Sequence, residues 1–293
     1  ALEALVGSTL ITSDGTTLLG ADDKAGVAVI MEAVQYLGEH PEIEHGRVRI
    51  CFTCDEEIGR GVDHVDPDRI GAVVCYTLDG GGSDEIDVET FSADLALVTV
   101  RGVNIHPSIA KGRMTNAVRA AVDLLSRLPG DTLSPETTAQ REGFLHPYEI
   151  SGGVDEVRLR ILLRDFEDAE LERLADTLRQ AIGKTEARFP QAQIEMAVRR
   201  QYRYMADGLA KEPRAVAHAE RALARLGRSA KRTIVRGGTD GSRLTELGLP
   251  TPNLSSGQHT PHSRLEWACL DEMVVSARWL VELCKVWAEP DAS

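Results

Sequence analysis

Three acidic clusters constrain what this chain can fold into: Asp22-Asp23, Asp55-Glu56-Glu57 and Asp79. Each follows an apolar stretch, and each stands shortly before a glycine (Gly26, Gly59, Gly80). Carboxylates gathered at the C-terminal ends of strands, beside glycines that let the backbone turn, are the pattern of an α/β sheet that collects ligands there. Crowded anions repel one another, and a hard or borderline cation relieves that repulsion. The arrangement argues for a metal-dependent hydrolase.

With 293 residues and 42% apolar content, the chain can bury a full core in one or two domains. A net charge of −13 argues against nucleic acid as a partner, because phosphate binding needs a basic face. No stretch approaches the ~18 apolar residues of a membrane span, so no membrane partner is expected. No signal peptide is read either, and a cytoplasmic protein is the expectation. Five cysteines without tight pairing argue against a disulfide framework. Cys51 and Cys54 form a C-x-x-C inside an apolar run and read as small buried residues.

The chain changes rhythm twice, predicting a first α/β part over 1–90, an inserted domain over 91–204 and a second α/β part over 205–293. In the first part, Ser13-Asp14-Gly15 between two short β-prone runs reads as a hairpin turn. Helical spacing covers 25–37, and residues 47–53 and 72–78 read as buried strands. The middle part reads β-α-β-β-α-β, the ferredoxin-like order, with a long connection over 130–147. The last part returns to α/β: helix 213–226, strand 232–235, helix 242–247, strand 251–254 and helix 270–287.

Asp22 and Asp23 share a strand-to-helix turn, so one can reach a metal while the other caps the helix. The bland alternative is two capping carboxylates. In Glu56-Glu57, one glutamate can ligate while its neighbour takes a proton from metal-bound water. A solvated acidic loop is the competing reading. Asp79, followed by glycines, offers a carboxylate where backbone can approach a ligand closely; a turn aspartate is its alternative. His259 and His262 lie in a polar loop and add ligand candidates, while His64-Val65-Asp66 reads as a surface turn. Arg236-Gly237-Gly238-Thr239-Asp240 before a helix is a plausible anion or carboxylate clamp. Phosphate-loop, dinucleotide, H-E-x-x-H and G-x-S-x-G patterns are absent.

Together these motifs, with His106-Pro107 and Arg164-Asp165-Phe166, resemble the M20 metallopeptidases, and within them the peptidase T group of tripeptide aminopeptidases. The resemblance implies a zinc-peptidase-like α/β catalytic domain and an inserted ferredoxin-like lid that also forms a homodimer. It implies two zinc ions, with Asp22 bridging them, Glu57 and His262 completing one site and Asp79 serving the other. Glu56 matches the general base of a metal-bound hydroxide mechanism acting on short peptides. His106 and Arg164 resemble lid residues that stabilise the tetrahedral intermediate or hold substrate, and Arg236 and Asp240 match the segment that positions the peptide ends. His262 is preferred over His259 for its H-x-x-x-E spacing to Glu266. The family also places an H-x-D pair upstream of its first acidic cluster. No histidine precedes Asp22, so the expectation is a family member short of its N-terminal segment and of one metal ligand. A dipeptidase, carboxypeptidase or deacylase of the same superfamily is one alternative. An inactive fragment serving as a dimerisation or peptide-binding module is the other.

Overall fold

The computed structural model describes residues 2–290. The chain divides into two compact units, one holding residues up to Thr90 and from Met205 onward, the other Phe91–Tyr204. Among the described residues, no helix is long and apolar enough to cross a membrane.

The first unit begins with β1 (Leu10–Thr12), α1 (Ala21–Glu39), α2 (Pro67–Ile70), β2 (Thr77–Gly81) and β3 (Glu85–Thr90). The second unit then holds β4 (Ser92–Arg101), α3 (Ala117–Ser126), β5 (Phe144–Gly152), β6 (Glu156–Asp165), α4 (Asp168–Arg188) and β7 (Gln193–Tyr202). The first unit resumes with α5 (Ala206–Leu209), α6 (Arg214–Arg225), β8 (Lys231–Val235), α7 (Asp240–Glu246), β9 (Asn253–His259), β10 (Trp267–Cys269) and α8 (Leu270–Ala288).

The first unit is built on a mixed six-stranded sheet centred on β9. β2 runs parallel to β9, β3 and β10 run antiparallel to it, β8 lies parallel to β3, and β1 pairs with β10. Apolar faces of α1, α6 and α8 cover the sheet around Val29, Leu78, Ile86, Leu223, Leu254 and Trp279. Burying a side chain of this size contributes roughly 1.5–3 kcal/mol. Trp279 also donates Nε1–H to the Ala219 carbonyl at 2.8 Å, so its one polar atom is satisfied inside the core.

The second unit is a four-stranded antiparallel sheet in the order β5-β6-β4-β7. With α3 and α4 this is the βαββαβ succession expected from the sequence. Ala96, Val98 and Val100 alternate on β4 and meet Val157, Leu159 and Ile161 of β6 under the helices. Asp123 of α3 is paired with Arg127 at 2.7 Å and with Arg188 of α4 at 2.8 Å, tying the helices together.

Several local expectations give way. The N-terminal hairpin does not form, because Asp14 takes the Thr16 N–H and hydroxyl into a tight local turn and β1 pairs with β10. Residues 47–53 join neither sheet, and Val48, Ile50 and Phe52 are exposed. An alternating apolar run becomes a strand only where a neighbour supplies backbone partners, and β9 takes β2 instead. Cys51 and Cys54 are therefore exposed rather than buried. The strand expected over 72–78 starts only at Thr77, and β5 begins within the stretch read as a connection.

Candidate metal centre and catalytic site

The turn into α1 is shaped before any ligand chemistry enters. Gly20 sits at φ 70°, a left-handed conformation glycine adopts without a Cβ penalty. The next two aspartates are non-helical, joined by a cis peptide bond. Asp23 turns inward and accepts the Gly26 N–H at 3.1 Å, taking the capping role. Asp22 is left for the site. Glu266, only 3% exposed, accepts the N–H groups of Gly20 at 2.6 Å and Asp22 at 2.9 Å on its two oxygens. One carboxylate from the loop after β9 thus holds the turn that presents Asp22.

Glu56 and Glu57 ride a single tight turn. Asp55 is at φ 67°, Gly59 at φ 70°, and the Asp55 carbonyl accepts from both Ile58 and Arg60. The turn sends the two glutamates to different neighbours. A Glu57 carboxylate oxygen lies 3.0 Å from His262 Nε2, which is also 3.0 Å from an Asp22 oxygen. Candidate ligand atoms of Asp22, Glu57 and His262 all lie within 4.8 Å of one another. His262 itself is at φ 59°, a backbone state that costs a non-glycine residue about 1–3 kcal/mol. Its loop is closed by the Glu266 N–H donating to the Ser263 carbonyl at 3.1 Å.

Asp79 lies within β2 rather than just beyond it. It shares a side-chain hydrogen bond with Asp22, so Asp22 faces Asp79 as well as Glu57 and His262. Its backbone N–H donates to Asn253 Oδ1 at 2.9 Å, and Gln258 Nε2 donates to its carbonyl at 2.9 Å and to its Oδ1 at 3.2 Å.

The electrostatics follow from this crowding. Burial first, then the Asp23 and Asp22 charges, push Asp79 well above the usual carboxylate range. Burial, with help from Asp22, Glu56 and Glu57, raises Asp23 to about 8 against the Gly26 hydrogen bond that opposes it. Glu56 rises to about 7, through burial and then the Asp240, Glu57 and Asp22 carboxylates, while it accepts a backbone hydrogen bond from Asp240. Oxygen and imidazole donors at this spacing, under mutual anionic repulsion, are a donor set fitted to a divalent cation.

Asp240 opens α7 behind a Thr239–Ser242 capping box and is 8% exposed. Its carboxylate accepts the Thr53 hydroxyl at 2.6 Å, and burial raises its pKa. Arg236 stands one residue past β8, half-buried. His259 is set apart from the ligand group: its ring stacks on Trp267 at 3.8 Å and meets Glu272 at 2.5 Å. His64 is exposed, and Asp66 caps α2, as a surface turn requires.

The remaining candidates belong to the second unit. Arg164 of β6 is largely buried, donates to the Tyr202 hydroxyl, and is pulled down to about 10 by desolvation. His106 is exposed and caps a short turn, with Nδ1 2.7 Å from the Ser108 hydroxyl. Sequence reasoning missed Asn253 and Gln258. The available signal was a strand, Asn253-Leu254-Ser255-Ser256-Gly257-Gln258, polar at most positions yet buried throughout.

Comparison with known proteins places nearly the whole chain beside a set of peptidases. Peptidase T of Bacillus subtilis (strain 168) is 42% identical over 284 residues, covering 97% of this chain and 69% of the relative. A tripeptidase structure from Staphylococcus aureus superposes with a TM-score of 0.82 at 26% identity, covering 95% of this chain and 74% of that one. Aminopeptidase PepT from Bacillus cereus ATCC 10987 gives a TM-score of 0.78 at 27% identity, covering 96% and 74%. The profile of peptidase family M20/M25/M40 matches residues 14–286, which include Asp22, Glu56, Glu57, Asp79 and His262, and the chain belongs to that family.

Proposed function

We propose that the chain is a metal-dependent aminopeptidase that releases N-terminal residues from short peptides, tripeptides among them. The observation that carries this is the convergence of Asp22, Glu57 and His262 within 4.8 Å, with Glu56 beside them at a pKa of about 7. Two zinc ions are assigned, one to Glu57, His262 and Asp22, the other to Asp79 and Asp22. When bound, they acidify water and polarise the scissile carbonyl. The side chains do the rest. A Glu56 carboxylate oxygen accepts the proton of the attacking water and passes it to the departing amine nitrogen, a task suited to a group poised near neutrality. Glu266 and Asp23 keep Asp22 oriented, the first through its backbone and the second by capping α1.

The first unit, 1–90 with 205–293, is assigned as the catalytic domain, and 91–204 as the lid and dimerisation domain. His106 and Arg164 of that domain are assigned to the tetrahedral oxyanion or the substrate. Arg236 and Asp240 are assigned to the peptide ends. Five unpaired cysteines suit the reducing cytoplasm.

A tripeptide with a free N-terminus, its N-acetylated form, a dipeptide and an N-acyl amino acid, each supplied with zinc, manganese or cobalt, test the reading. Cleavage of the free tripeptide alone, abolished by a chelator, is expected. Equal turnover of the N-acetylated form would make the protein a different hydrolase. Light scattering of the same preparation checks the homodimer.

A further inference from the structure

Two buried amides of the first unit, Asn253 and Gln258, bracket Asp79. Asn253 and Gln258 stand five residues apart on β9, 2% and 3% exposed, and reach the same residue of β2. Their amide orientations are dictated by their partners. Asn253 Nδ2 donates to Asp87 Oδ2 at 2.8 Å, so its Oδ1 faces the Asp79 N–H and the Thr77 hydroxyl, both at 2.9 Å. Asp87 is itself held by the Thr233 hydroxyl at 2.6 Å. Gln258 Nε2 meets only acceptors, the Asp79 carbonyl at 2.9 Å and its carboxylate Oδ1 at 3.2 Å.

Gln258 makes these contacts at a cost. Its Oε1 is buried with no hydrogen-bond partner in the protein, so its amide is held by the Nε2 contacts to Asp79 alone. The parallel register sets Thr77 opposite Asn253 and Gly81 opposite Gln258, with bulges between, so Asp79 lies between the two amides. Gly80 permits the approach, since a Cβ there would come within 2.8 Å of the Leu254 carbonyl oxygen.

We infer that Gln258 and Asn253 are positioning residues for Asp79: Gln258 occupies Asp79 Oδ1 and leaves Oδ2 as the ligand atom, while Asp87 and Asn253 lock the backbone beneath it. This rests on the reading of Asp79 as a metal ligand. Outer hydrogen-bond partners of ligands tune metal affinity by about 10–100-fold.

The test is a zinc titration of the full chain in competition with a chromogenic chelator, on wild type, Gln258→Met, Asp79→Asn and the double variant. Gln258→Met keeps the side-chain length and removes the donor. It is expected to weaken zinc binding about 10-fold or more, to lower kcat/KM under limiting zinc, and to have no further effect on zinc affinity in the Asp79→Asn background. A merely structural role would cost affinity in both backgrounds, and that result overturns the inference. An isotherm for Gln258→Met within twofold of wild type overturns it too. A wild type that binds no zinc removes the underlying reading as well, so the two failures are distinguishable. Should Gln258→Met not fold, Asp87→Asn, which perturbs the amide of Asn253 from outside the site, is expected to weaken zinc binding in the same way. No change in affinity there overturns the inference.

Discussion

Glu56 and Glu57 are adjacent, yet their carboxylates meet different surroundings. Glu57 is half-exposed and faces His262, whereas Glu56 is more buried, with Asp240 behind it. This is why we assign one carboxylate as a ligand and the other as a base, a division made by the turn rather than by residue type. Glu56→Gln keeps the shape and the hydrogen bond from Asp240 but cannot take a proton. It is expected to lower kcat by about 10²–10⁴-fold while zinc stoichiometry, read by elemental analysis, stays as in wild type. A loss of bound zinc instead would make Glu56 a ligand. Glu266 gives the complementary case, since it touches no reacting atom. Glu266→Ala strips two part-buried backbone N–H groups of their acceptor, at a cost of at most about 1–3 kcal/mol each. Urea denaturation should show that loss of stability, together with weaker zinc binding as Asp22 loses its fixed orientation. Unchanged stability would show that the turn holds without it.

At the scale of elements, the site depends on how closely α1 approaches β2. Gly26 lies on the inner face of α1, and a Cβ built there would overlap the Leu78 carbonyl oxygen and crowd the Asp23 carboxylate. Gly26→Ala would favour an isolated helix, but here it must push α1 away from β2. Overpacking of this kind costs about 1–3 kcal/mol, so a lower urea midpoint at unchanged slope is expected. A more stable variant would mean that the helix can shift freely. What the sequence discloses divides along the same line. Periodicity along one segment foretells α1, α4 and α8, and the alternation of β4 and β6 foretells the ferredoxin-like unit, because these patterns are local. Partnership is not local. The alternation Ile86, Val88, Thr90 was available to mark β3, yet nothing near it indicates that β9 and β8 flank it. The apolar run at 47–53 looks as good as a strand and finds no strand to pair with among the described residues. The proposed ligands Asp22, Glu57 and His262 are readable as motif residues. Glu266 is marked by its spacing to His262, but its hold on Asp22, and that of Asn253 and Gln258 on Asp79, act across 244, 174 and 179 positions of chain, where no spacing rule reaches.

For the whole molecule, the decisive quantity is the charge stored in the first unit. Asp23, Glu56 and Asp79 have folded-state pKa values above those of an unfolded chain, chiefly because burial penalises the anions. A carboxylate raised in this way contributes stability that is fully present below its unfolded pKa, near 4. That contribution is lost as pH rises through the folded value. In the intervening window the native state binds more protons than the unfolded one, so stability falls with pH. The metal-free protein is therefore expected to melt at a lower temperature at pH 8.5 than at pH 5.5, with the decline running from about pH 4 to about pH 9 and steepest below about pH 7, where all three groups contribute. A divalent cation acts in the opposite direction, since it binds the ionised cluster and not the unfolded chain. At a hundredfold excess over its Kd, such binding adds about 2.7 kcal/mol, and the gain should be larger at pH 8.5 than at pH 5.5, where protons compete for the same oxygens. Differential scanning calorimetry of chelator-treated protein, with and without zinc at both pH values, measures each quantity. A metal-free melting temperature that climbs from pH 5.5 to 8.5 would show that the cluster's charge does not govern the fold's stability. An equal zinc shift at both pH values would show that the cation binds groups other than these carboxylates.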